Sequence, residues 1–169
     1  MTPGKTGCSE PEKITSMVVP ENQKNVKLVD EIGWLKQYID DANEKASTRR
    51  LDVGEVAMLD AQESKMAAYY ASDNHKETVQ LIDDLCELIG IETPSERSID
   101  LYLEALEGVP ACLVLLARTR LLQSYHYRQL PLPGDVVKVV SDEIAVLCEL
   151  NAKLRVIRMK QITRTREER

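Results

Sequence analysis

The feature that most limits what this chain can fold into is the return of apolar residues every three or four positions, in stretches cut by residues that start and stop helices. Leu28, Ile32, Leu35, Ile39 and Ala42 form the first stripe, with Glu, Lys and Asp on the other side and Trp34 beside it. Three later starts pair a short polar side chain, able to cap free amides, with a Glu three residues on that can reach back: Asp52 with Glu55, Asn74 with Glu77, and Thr93 with Glu96. Pro94 suits a first helical position, where its missing N–H costs nothing. Val79, Ile82, Leu85, Cys86 and Ile89 then form a stripe closed by Gly90, and Ile99, Tyr102, Leu103 and Leu106 form one closed by Gly108.

Pro110 opens a segment through Leu113, Leu116, Ala117, Arg120 and Leu121 whose first half is apolar nearly all round, as expected of a central helix ending near Tyr125. Leu130-Pro131-Leu132-Pro133-Gly134 cannot continue it. Asp135 then stands near the start of a long final helix carrying Val136, Val140, Ile144, Leu147, Leu150, Leu154 and Ile157. Its first half is expected to pack on the body. Its second half is expected to project and to be available to another helix.

These patterns predict an all-α protein, a compact bundle of five to six helices with a long C-terminal helix. A chain of 169 residues is about one domain's worth, and with no Phe and one Trp its core falls to Leu, Ile, Val, Ala and Met. Pro3, Gly4, Gly7, Pro11 and Pro20 break any period before Leu28, so 1–27 is expected to be a disordered arm, 28–150 a helical domain and 151–169 a basic extension of the last helix or a basic tail. Only Val136 to Val140 could be mistaken for a strand.

No apolar run approaches the roughly 20 residues that cross a bilayer, and the first residues lack the basic start and apolar run of a secretory signal, so a cytoplasmic location is expected. Cys86, Cys112 and Cys148 sit among apolar neighbours, with no CxxC spacing to them or to Cys8, and read as small buried hydrophobes. His75 and His126 have no ligand-type neighbour at helical spacing, so no metal is expected. The acidic pairs Asp40-Asp41 and Asp83-Asp84 diverge on a helix and read as a solvated face. Ser124 and His126 lack a nucleophile turn, and there is neither a GxxxxGK[ST] nor a GxGxxG loop. No catalytic residue and no cofactor are therefore expected.

Charge is divided unevenly. Seven cations between Asn151 and Arg169 face two acids, whereas upstream there are fifteen basic and twenty-six acidic residues. An acidic body repels nucleic acid, which leaves the C-terminal end as the electrostatic handle for phosphates or for an acidic protein. Two groups emerge as candidates for partner or nucleic-acid binding. One is Arg118, Arg120, Tyr125, Tyr127 and Arg128, which with His126 mixes cations and aromatics in the way that stacks bases; its other reading is a helix end complementing its dipole. The other is Lys153, Arg155, Arg158, Lys160, Arg164 and Arg166, which reads equally as a frayed soluble end.

Within Ile99 to Glu143, Tyr102-Leu103-Glu104-Ala105-Leu106 is followed by Val109-Pro110, by Leu113 to Ala117 and by Leu130-Pro131-Leu132-Pro133-Gly134-Asp135. This succession resembles the helical pattern of phage and prophage replication proteins related to the helicase loader and inhibitor family. The resemblance covers under a third of the chain, and Gln129 and Leu130 stand where the pattern has a strong aromatic. It implies a small all-α protein that binds a hexameric replicative helicase, holds it inactive and delivers it to origin-bound replication proteins, with the segment from Lys153 to Arg169 in the place of the helicase-contacting part. A nucleic-acid-binding regulator acting through Arg118 to Arg128 and the basic end is the second reading. A homo-oligomeric assembly protein seamed through Val140 to Ile157 is the third.

Overall fold

The computed structural model describes residues 21–126 and 128–167, with side chains from Lys27 to Arg166 apart from Tyr127. Seven helices and no strands are present among the described residues: α1 (Glu21–Thr48), α2 (Val53–Ala71), α3 (His75–Ile89), α4 (Glu96–Ala105), α5 (Ala111–Ser124), α6 (Pro133–Val139) and α7 (Ser141–Glu167). The all-α bundle with a long C-terminal helix is as expected. The helix number and several boundaries differ.

The expectation of an arm over 1–27 lies outside the described residues up to position 20. From there the chain is helical, and α1 begins at Glu21, earlier than the start expected near Leu28. Residues 21–27 are polar apart from Val26 and hold no Gly or Pro, so a helix nucleated by the packed stripe extends back through them at little cost.

The long axis of the fold is a heptad seam. Ile32, Leu35, Ile39, Ala42 and Ala46 of α1 are buried at steps of three and four, and so are Leu147, Leu150, Leu154 and Ile157 of α7. The two helices run in the same direction. Lys153 pairs with Asp40, Lys160 reaches Asn43 and Ser47, and Arg164 donates to the Ser47 carbonyl, so residue numbers rise together. Leu59, Gln62 and Met66 make α2 the third strand of this seam, antiparallel to α7, with Leu51 beside Gln161 and Tyr70 beside Cys148. The second half of α7 therefore lies packed on α1 and α2 and does not project. Trp34, half-exposed on α1, stacks on Tyr38 with ring centroids 5.7 Å apart.

The remaining helices surround α5, the most buried of them, which packs on α3, α6 and α1. Capping explains the local starts only in part. Asp52 and Glu55 close their reciprocal box at 2.8 and 3.0 Å as expected. Asn74 does not cap α3; its amide donates instead to the carbonyls of Leu106 and Val109, both at 2.8 Å, and so ties the α4–α5 turn to the α2–α3 corner. The cap of α4 is Ser95 and not Thr93, because the Ser95 hydroxyl, two residues later, accepts from the Ser98 amide, which also donates to the Ser95 carbonyl. Gly90 (φ 70°) closes α3, and Gly108 (φ 81°) turns the chain between α4 and α5, conformations that a Cβ disfavours.

The expected single last helix is divided at Val140 into α6 and α7 without a Pro or Gly. Side chains insert into the backbone ladder instead. Arg120 donates to the Val139 carbonyl at 2.7 Å and the Ser141 hydroxyl to the Lys138 carbonyl at 3.0 Å, occupying acceptors that a continuous helix would use. Cys86 is buried as expected and Cys112 half-buried, whereas Cys148 is exposed, so its assignment to the core is corrected. It stands one position past the buried seam residue Leu147, turned toward Tyr70.

Gln62 is the polar member of the seam, 7% exposed, and its Oε1 has no hydrogen-bond partner. Replacing it by Leu removes an unsatisfied acceptor while keeping volume, so Gln62→Leu is expected to raise unfolding free energy by about 1 kcal/mol in urea titration.

Candidate binding surface on the last helix

The first group of cations is largely committed to holding helices together. Arg118 is buried and ion-paired with Asp84 of α3. Arg120 grips Glu143 with two nitrogens, at 2.5 and 3.1 Å, as well as the Val139 carbonyl. It thereby joins the end of α6 to the first turn of α7, and its guanidinium lowers the carboxyl pKa of Glu143 below the ordinary 4.5. The Tyr125 hydroxyl donates to the Gln129 carbonyl at 2.8 Å, and the Ser124 hydroxyl to that of Arg120 at 2.7 Å. Arg128 and His126 are exposed, and Tyr127 lies outside the described residues.

The acidic pairs read as a solvated face supply partners for these cations. Asp84 takes Arg118, and Asp40 takes Lys153. Lys153 also pairs with Glu149 at 2.5 Å, and the hydrogen bonds it donates to Asp40 and then Glu149 raise its pKa. Arg158 reaches Asp60 and, at 2.9 Å, Glu63 on α2. Lys160 donates to neutral oxygens only, Asn43 Oδ1 at 3.0 Å and Ser47 Oγ at 2.7 Å. Arg164 donates to the Ser47 carbonyl at 2.8 Å, in the last turn of α1.

A second physical cause gathers positive charge here. Because α1 and α7 are parallel, their C-terminal ends, each carrying about half a negative charge, lie side by side. Lys45 in the last turn of α1 and Arg164 and Arg166 in that of α7 offset both. Arg49, just past α1, binds Glu55 through two nitrogens at 2.5 and 2.8 Å, with Lys45 at 3.4 Å. The C-terminal concentration of cations is in large part an account of how the bundle closes.

What remains directed outward is apolar as well as basic. Val156 (48% exposed), Met159 (64%) and Ile162 (50%) face solvent with Arg155 and Arg166. A shallow concavity of about 510 Å³ is lined by Arg155, Val156, Met159, Lys160, Thr163 and Arg164. On the far side of Ile162 a groove of about 710 Å³ opens toward Leu51, Val53 and Val56. Arg155, Lys160, Arg164 and Arg166 of this surface are among the cations expected to bind a partner, whereas Met159 and Ile162 lie outside the stripe that becomes the core and are not singled out by it. Their signal is a second set of apolar positions in the same helix, out of phase with the first. Among the described residues no group of three or more His, Cys, Asp or Glu side chains converges as a metal site would require, and no helix is long and apolar enough to cross a membrane.

Arg120→Ala is expected to cost about 2 kcal/mol, since it strands the mostly buried Glu143 carboxylate and the Val139 carbonyl, while Arg128→Ala should leave the denaturation midpoint unchanged. The Glu55 carboxyl is held at about 2 by the Arg49 guanidinium and then by the Asp52 amide, below its ordinary 4.5. A depressed folded-state pKa stabilises above the unfolded value and is lost as pH falls through the folded one. Thermal midpoints should therefore decline from about pH 4.5 toward 2, and less steeply in Glu55→Gln.

Comparison with protein-family models, with curated proteins and with solved structures gave no match.

Proposed function

We propose that this chain is a non-catalytic adaptor that holds a partner protein on the outer side of the second half of α7. The observation that carries this reading is the exposure of Val156, Met159 and Ile162 on a helix whose opposite side is already buried. Apolar side chains grouped on the outside of a rigid, doubly anchored helix are what a protein partner can desolvate, with Arg155 and Arg166 as a polar margin. The resemblance of 99–143 to helicase loader and inhibitor proteins makes a hexameric replicative helicase the first partner to try, and DNA replication the process. The nucleic-acid reading has less support, because Arg118, Arg120, Lys153 and Arg158 already have acidic partners within the fold.

The purified chain is expected to co-elute with the replicative helicase of its host at moderate salt in size-exclusion chromatography. Separate elution of the two across a range of salt would sink the replication reading.

A further inference from the structure

The outward face of α7 is itself a heptad seam, and its flanks specify what can pair with it. Ala152, Val156, Met159, Thr163 and Arg166 follow one another at steps of four and three, and all five are exposed. At 100° per residue their mean direction is nearly opposite that of Leu147, Leu150, Leu154 and Ile157. One side of α7 thus packs on α1 and α2, and the other repeats the same spacing in solvent.

Coiled-coil partners are selected by the residues flanking the seam. Here those are Arg155 and Ile162 on one side and Lys153 and Lys160 on the other. No acidic residue occurs from Asn151 to Arg166. The hydrogen bonds of Lys160 go to an amide and a hydroxyl oxygen, so no carboxylate offsets its charge there. A second copy of α7 would set cation against cation in either direction, which is unfavourable. An incoming helix with Glu or Asp at its flanks would meet opposite charge at Arg155 and Lys160, Lys153 being already paired with Asp40 and Glu149.

We propose that residues 152–166 form a docking seam for an acidic amphipathic helix of a partner protein, taken in coiled-coil fashion as a further strand of the α1–α2–α7 layer. The proposal rests on the protein-binding reading of α7 but not on the partner's being a helicase. Val156 and Met159 fill the apolar seam of the complex. Arg155 and Lys160 select the partner's charge, and Arg166 closes its end.

The test uses the full chain and two labelled synthetic helices about three heptads long, with Leu at the seam and either Glu or Lys at the flanks, read by fluorescence anisotropy. The Glu helix is expected to bind and to weaken with added salt, and the Lys helix not to bind. A Val156→Glu/Met159→Glu double variant should weaken the Glu helix by about tenfold or more with an unchanged thermal midpoint, because both positions are surface-exposed. Arg155→Glu should weaken it by about threefold.

Equal binding of the two helices, no binding of the Glu helix, or indifference to the double variant would overturn the proposal. So would a dimer in light scattering that Met159→Glu dissociates, which would give the face to a second copy. A duplex oligonucleotide displacing the Glu helix from the same residues would give it to nucleic acid. Glu-helix binding without helicase co-elution defeats only the replication reading, and helicase co-elution unaffected by the double variant defeats only the seam.

Discussion

The parallel packing of α1 on α7 is the constraint from which most of the structure follows. Seam residues of both helices are almost completely removed from water, so the two longest helices of the chain align over several turns. They are also far apart in sequence, and joining two parallel helices of this length requires the chain to travel back from the end of α1 to the start of α7. Helix α2 makes that return along the seam itself. The segment from α3 to α6 then forms the second cluster around α5 and delivers the chain to Ser141.

Parallel alignment has an electrostatic cost that the sequence meets locally. Two C-terminal dipoles lie adjacent, and cations from both helices, together with the capped start of antiparallel α2, counter them. The ion pairs of Lys153 and Arg158 bridge α7 to α1 and α2, so the acidic body and the basic end are two sides of one interface. This is why a basic segment on an acidic protein is a poor guide to nucleic-acid binding here. Function is better sought in what the interface leaves over, the apolar and basic outer face of α7.

Rigidity would suit that face to the proposed binding. Arg120 ties α5, the end of α6 and the start of α7 into one junction, and Asn74 ties the α4–α5 turn to the α2–α3 corner through two carbonyls. Helix α7 is thus anchored at its first turn and along its buried seam. A partner laid on its outer side would find the side chains already placed, without first ordering the helix that presents them.

The amino-acid sequence by itself determined the helical class, the stripes of α1, α3, α5 and α7, the Asp52–Glu55 box and the glycine turn at Gly90, because each depends on contacts within a few residues. It could not show that Asn74 would leave its own helix for Leu106 and Val109, or that Val140 would separate α6 from α7. Those outcomes depend on groups brought from 19 to 35 positions away. Nor could it tell which cations were spent. Arg118 and Arg120 looked like a base-stacking cluster with Tyr125, and only the placement of Asp84 and Glu143 beside them turned them into ties between helices. Periodicity revealed that α7 had an apolar stripe, but deciding which stripe was core and which stayed in water required α1 and α2 to be in place, since burial belongs to the neighbours as much as to the residue.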